Sequence, residues 1–155
     1  MQTVAVGKNG RMTCDDEVSY DADRLPSRDE TRTLYDSVGW AAYTDDLDAL
    51  IRGLENSAVV VTARSGGKLI GLARIVSDHA TIAYLQDVLV HPSFRRRGIA
   101  TALVNRAFAP FSRVRQHVLL TDAEPGQRAF YESIGFTEIR DLPGQGCRSF
   151  VRFNP

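Results

Sequence analysis

No charge of one sign dominates this 155-residue chain: 19 Lys and Arg face 19 Asp and Glu, for a formal net charge of zero. Broad nucleic-acid binding needs a basic excess, so that class of partner is set aside. Cysteine is scarce. Cys14 and Cys147 are the only two, and they form neither a CxxC pair nor a zinc-type spacing. One disulfide between them is arithmetically open, and two free thiols in a reducing compartment are the plainer expectation. No apolar stretch approaches the ~20 residues of a membrane span. Residues 1–12 lack an apolar run of signal-peptide length. The expectation is a soluble, cytoplasmic protein with no membrane partner. Several motifs are missing too. There is no GxxxxGK[ST] phosphate loop, no GxGxxG dinucleotide fingerprint, no HExxH and no GxSxG elbow. His91 precedes Pro92 and reads as a strand-end residue, and His79 and His117 are isolated, so no metal site is expected.

What is present describes an ordinary globular chain, 43% apolar and 25% charged. That is enough for a core without disulfide or metal staples. Residues 1–15 are polar and aperiodic and read as a flexible tail. Residues 16–155 read as a single domain, without repeats or linkers.

Val18 and Tyr20 alternate with polar neighbours, as in a short strand. Ser27-Arg28-Asp29-Glu30 is a capping box that opens a helix over 28–37. Trp40 to Tyr43 reads as an aromatic connecting loop. A second helix, about 45–55, carries Leu47, Leu50, Ile51 and Leu54 on one stripe. The period then changes. Val59-Val60-Val61 marks a buried strand, Ser65-Gly66-Gly67-Lys68 a hairpin turn, and 69–76 the returning strand. The segment 82–91 is a long strand interrupted by Gln86-Asp87. Ala83 and Leu85 alternate before the interruption and Val88 and Val90 after it, a change of parity that a β-bulge produces. A helix follows the loop 93–98, with Ile99, Leu103, Val104, Ala107 and Phe108 on one face, and Pro110 stops it. Strand 116–122, helix 127–134 with Gly135 as its cap, and strands over 136–139 and 149–153 complete the chain. An antiparallel run followed by alternating strands and helices implies a mixed α/β sheet covered on both faces.

The segment from Val88 to Ala100 carries the chemistry. A buried strand enters a glycine-containing loop that opens a helix. The N–H groups of a helix start are unpaired and carry partial positive charge, which suits phosphate. Gly98 lets a ligand approach the backbone, and Arg95, Arg96 and Arg97 attract a polyanion. Read alone, the three arginines are also compatible with a solvated basic patch.

The order Arg95-x-x-Gly98-x-Ala100 resembles the acetyl-CoA signature [Q/R]xxGx[G/A] of the GNAT (Gcn5-related N-acetyltransferase) superfamily. Phe130-Tyr131 followed by Gly135-Phe136 resembles that family's later helix. Gln127 departs from the family, many of whose members have Asn there. The resemblance implies an α-β-α sandwich whose mostly antiparallel central sheet is splayed at the cofactor site. It implies acetyl-CoA or another acyl-CoA, held by Val88, Leu89, Val90, Arg95, Arg96, Arg97, Gly98, Ile99, Ala100, Thr101, Gln127 and Phe130. Transfer would go to an amine of a small molecule, peptide or protein. Tyr131 is the implied general acid and Asp87 a candidate base, with a satisfied structural carboxylate as the alternative for Asp87. Trp40, Tyr43, Tyr84 and Gln86 are candidates for the acceptor site, with packing as the rival role for the first two. A non-catalytic acyl-CoA sensor of the same fold is the competing function. Family members are often dimers, which leaves a homodimer open.

Overall fold

Strands that follow one another in the chain are neighbours in the sheet. In the computed structural model, which describes residues 17–144 and 146–153, the order is β1 (Val18–Asp21), β2 (Val59–Ser65), β3 (Lys68–Ser77), β4 (Ile82–Val90) and β5 (Gln116–Leu119). The first four are antiparallel, and β5 runs parallel to β4. The tail expected over 1–15, with Cys14, lies outside the described residues. The described chain forms two compact units, one ending at Leu119 and the other starting at Leu120.

In the first unit the glycine pair works as its sequence suggests. Ser65 pairs with Lys68, leaving Gly66 (φ +55°) and Gly67 (φ +78°) as a two-residue turn. Two successive left-handed residues match the twist of the flanking strands. Helix α1 (Arg28–Ser37) begins at a complete capping box. Ser27 Oγ accepts from the Glu30 N–H at 3.3 Å, and a Glu30 carboxylate oxygen accepts from the Ser27 N–H at 2.8 Å. The aromatic stretch expected as a loop instead contains a short helix, α2 (Ala41–Thr44). Helix α3 (Leu47–Glu55) starts two residues later than its periodicity suggested, because Asp46 is its cap, accepting from the Ala49 N–H at 2.9 Å. Helix α4 (Ile99–Phe108) runs into a 3-10 turn around Pro110.

The two sheet faces are covered by different helices. Leu34, Tyr35, Leu47, Leu50 and Leu54 of α1 and α3 pack with Val60, Leu72 and Leu89 of the sheet. Gly71, the neighbour of Leu72, points the opposite way. A Cβ there would sit 3.0 Å from Leu103 of α4. The sheet is thus sandwiched between α1/α3 and α4, the mixed α/β arrangement expected.

In the second unit α5 (Pro125–Ser133) starts two residues earlier than expected, since Pro125 fits the first helical position, where no N–H is needed. Gly135 (φ +95°) ends the helix, and the Phe136 N–H turns back to the Tyr131 carbonyl at 3.0 Å.

Three expected strand features are corrected. Residues 136–139 are not a strand. Arg128 draws in Glu138 (2.7 Å) and Asp141 (2.5 Å), and the chain curls into a 3-10 turn at Ile139–Asp141. Residues 149–153 are not a strand either. Strand propensity expresses a fit to a half-buried pleated surface, and this segment has none: Phe150 and Phe153 are 86% and 88% exposed. The strand expected over 116–122 ends at Leu119.

Candidate cofactor site

The register of β4 sets up the site. Arg74 lies opposite Asp87, but the next β3 residue, Ile75, lies opposite Leu85. Gln86 is therefore an extra residue, the bulge expected from the parity change. Pairing with β5 covers only Ile82 to Leu85, so it stops where the bulge begins. The His91 N–H donates to Ile70 O at 2.8 Å. Antiparallel ladders alternate, so Leu89 bonds toward β3, while Val88 and Val90 turn their N–H and C=O groups to the opposite edge. Among the described residues no strand pairs with that edge from Gln86 to Val90.

The chain then leaves β4 through His91 and a 3-10 turn at Pro92–Phe94, which His91 Nδ1 caps by accepting from the Ser93 N–H at 3.3 Å. Arg96 (φ +63°) and Gly98 (φ +76°) are both left-handed. Glycine takes this conformation freely. For Arg96 it costs about 1–2 kcal/mol, strain of the kind that collects at ligand-binding turns. No side chain caps α4. The N–H groups of Ile99, Ala100 and Thr101 precede the first helical bond, from the Ala102 N–H to Gly98 O at 3.0 Å. Arg95, Arg96 and Arg97 are exposed, and none forms an ion pair among the described residues. Arg97 leans over the Phe94 ring, 5.3 Å from its centroid. An uncapped, positively charged helix start beside an open strand edge has the donor chemistry that suits a phosphate ester.

On the α1/α3 face of the bulge, Asp87 is fully buried. One carboxylate oxygen, Oδ2, accepts from Tyr35 OH at 2.9 Å and from Arg74 Nε, while Oδ1 has no partner. Arg74 Nη1 also donates to Gly53 O and Ser57 Oγ, both at 3.3 Å. Burial, and then the Asp87 charge, hold the Tyr35 phenol far above its ordinary pKa. Tyr35, Trp40 and Tyr43 form an aromatic group with centroids 5.6–5.9 Å apart. Gln86 Nε2 donates to Tyr43 OH at 3.3 Å, and burial raises the Tyr43 pKa. Beside Tyr43 a recess of about 210 Å³ is lined by Ala42, Asp46, Ala49, Leu50 and Arg74. Tyr84 is half-buried, between Val76 and Val118 in the sheet. Of the acceptor candidates, Trp40, Tyr43 and Gln86 are therefore brought together.

Neither Tyr35 nor Arg74 stood out in the sequence as a functional candidate. A signal existed: Arg74 is the one charge in the apolar run Leu69–Val76, and the facing strand is interrupted by Gln86-Asp87. Two polar interruptions in adjacent buried strands imply a cross-strand pair. His117 stacks on Phe108 at 4.4 Å and shares a hydrogen bond with Phe111 O at 3.0 Å, and His79 lies 5.4 Å from the Phe111 ring. No group of three or more His, Cys, Asp or Glu among the described residues could hold a metal, and no helix among them is long and apolar enough to cross a membrane.

In the second unit, Tyr131 is buried, with the Phe130 ring edge-on at 4.9 Å and the Phe136 ring at 6.0 Å. Its phenol is pushed up to about 12, first by burial and then by the Asp122 charge, against a hydrogen bond from Thr121. Gln127 sits in the first turn of α5, its N–H donating to Glu124 O at 3.0 Å.

The model of the acetyltransferase (GNAT) domain matches residues 55–138. An uncharacterized N-acetyltransferase of Pyropia yezoensis is 29% identical over 119 residues, 74% of this chain and 66% of the relative. The match thus spans just under two-thirds of that relative's length. Among solved structures, a GNAT family acetyltransferase from Streptococcus pneumoniae has a TM-score of 0.78 at 27% identity, over 89% of this chain and 98% of that one. An aminoglycoside N-acetyltransferase solved in complex with CoA has a TM-score of 0.68 at 20% identity, over 89% and 95%. At that identity the likeness is one of fold. The family match covers more than half of the chain and contains the bulged strand, the arginine loop and α5, and so the chain belongs to the GNAT family of acetyltransferases.

Proposed function

We propose that the protein is an N-acyltransferase that takes an acetyl group from acetyl-CoA and gives it to an amine of a small molecule, peptide or protein. The observation that carries this reading is the uncapped start of α4, with Gly98 left-handed ahead of it and, beside it, Arg95, Arg96 and Arg97, which form no ion pair among the described residues. The CoA complex of the aminoglycoside-acetylating fold neighbour supports the choice of cofactor.

Acetyl-CoA, when bound, supplies a thioester whose acyl carbon an amine can attack. The N–H groups of Arg96, Arg97, Gly98, Ile99, Ala100 and Thr101 would hold its pyrophosphate, and the arginine side chains would add long-range attraction. The open edge at Val88–Val90 would pair with the pantetheine arm as a strand pairs with a neighbour. An edge N–H, that of Val88 foremost, would stabilise charge developing on the carbonyl oxygen. Gln127 and Phe130 would flank the arm. Tyr131 would donate its proton to the departing sulfur. Its raised pKa keeps the phenol protonated throughout the neutral range. Trp40, Tyr43, Tyr84 and Gln86 would shape the acceptor side.

The test is calorimetry with CoA and acetyl-CoA, followed by release of free CoA thiol across a panel of amines. Binding together with amine-dependent thiol release supports the enzyme. Binding without turnover on any amine turns the reading to an acyl-CoA sensor. No interaction with either ligand removes the proposal.

A further inference from the structure

The bulge in β4 lies next to the open strand edge, and a buried polar cluster sits on it. Gln86 is the extra residue. Asp87, the next residue, is held from two sides by donors on two different elements, Arg74 of β3 and Tyr35 of α1. Arg74 reaches further, to the Gly53 carbonyl and the Ser57 hydroxyl at the end of α3. Gln86 is itself tied to Tyr43 of α2. One point in β4 is thus fastened to the neighbouring strand and to all three helices on that face. The pairing of β4 to β5 ends just before it, at Leu85, and just beyond it Val88 and Val90 turn to the open edge.

We infer that Arg74 and Tyr35 are positioning residues that clamp Asp87, and thereby fix the bulge that presents the Val88 and Val90 edge to the acyl thioester. The inference rests on the acyl-CoA reading above. It also gives Asp87 a role other than proton acceptor. A base must meet the proton that it takes. The Asp87 side chain is 0% exposed, and the oxygen that has partners is already shared between a guanidinium and a phenol. A carboxylate in that state orients backbone. The unpartnered Oδ1 fits this view: the group is placed for the two donors on its other oxygen, at the desolvation cost of leaving one acceptor unmet. The clamp also accounts for an arginine in a buried strand, where an unpaired charge would not be tolerated. A small shift of the edge would misplace the carbonyl and slow transfer, while the grip on the pyrophosphate, set by the start of α4, would stay as it is.

The experiment separates this inference from the reading beneath it. Calorimetry of the wild type with CoA tests the reading alone. Kinetics and backbone exchange test the clamp. Arg74→Gln is expected to lower kcat about tenfold or more with a smaller change in the CoA Kd, since the pyrophosphate grip at the start of α4 is untouched while misplacement by an ångström costs that order in rate. The double variant Arg74→Gln/Asp87→Asn keeps a neutral hydrogen-bonding pair across the strands, and is expected to return kcat to within about threefold of the wild type. Were Asp87 the base, every variant lacking its carboxylate would lose about 10²-fold or more, and the double variant would not recover. That outcome overturns the positioning role. Tyr35→Phe keeps the packed ring and removes one hydroxyl, so it serves where Arg74→Gln fails to fold. It is expected to speed amide exchange at Asp87 and Leu89, read by NMR without any ligand, about fivefold or more. Unchanged exchange in that variant overturns the clamp even if CoA binding fails.

Discussion

Glu30 holds Arg64 with both carboxylate oxygens, at 2.5 and 3.2 Å, while one of them also closes the capping box of α1 on the Ser27 N–H. The guanidinium and that backbone N–H together depress the Glu30 carboxyl from 4.5 to about 2. A depressed carboxyl stabilises the fold fully above its ordinary value and loses that contribution as pH falls towards the folded one. Glu30→Gln is expected to cost about 1–2 kcal/mol at pH 7, from a cap and a partly exposed ion pair together. Urea unfolding of both proteins should show the gap closing between pH 4.5 and pH 2.

Gly98→Ala separates fold from ligand. An added Cβ meets nothing within 4 Å, yet the residue sits at φ +76°. The backbone strain should cost about 1–2 kcal/mol in thermal unfolding. Affinity for CoA should fall by more than that strain explains, about 10²-fold or more, because the Cβ enters the space where the phosphates approach the amides. Calorimetry beside a melting curve reads both, and equal losses in the two would remove the glycine from ligand contact.

Tyr131→Phe should lower kcat about 10- to 10²-fold and leave the CoA Kd unchanged, as expected for a proton donor rather than an anchor. The phenol is raised from 10.0 to about 12. A raised value means that its contribution to stability is complete below pH 10 and is lost as pH climbs towards 12. Thermal melts of the wild type should weaken over that interval more steeply than those of the Phe variant. Equal kcat values in the two proteins would end the proton-donor assignment.

Gly71→Ala should destabilise by about 1–3 kcal/mol, the range for overpacking. The new methyl would lie 3.0 Å from Leu103 and 3.2 Å from the Leu89 carbonyl, so both α4 and β4 would have to give. Chemical denaturation measures the loss, and a stability equal to the wild type would mean that the sheet and α4 are not in close contact there.

Much of the first unit was legible because its signals are local. The capping box placed α1 to the residue, the glycine pair set the hairpin, and the parity change at Gln86 located the bulge. The loop from Arg95 to Ala100 was readable for the same reason, since a helix start needs only its own residues. The clamp was not, because Tyr35 and Asp87 are 52 positions apart and meet only when α1 packs on the sheet. The C-terminal segment failed in the opposite sense. Phe150, Val151 and Phe153 carry a strand's composition without a surface to receive it. Propensity reports what a segment can do next to a partner, and no local pattern reveals whether the partner is there.

Strand order that follows chain order has a kinetic meaning. β2, β3 and β4 join through short turns, so little loop entropy opposes their pairing. β5 reaches β4 only after the whole of α4 has been laid across the sheet. The arginine loop belongs to that crossover, between the local meander and the strand that pairs across it. Low contact order predicts that the β2–β4 meander pairs before the crossover that carries the arginine loop docks.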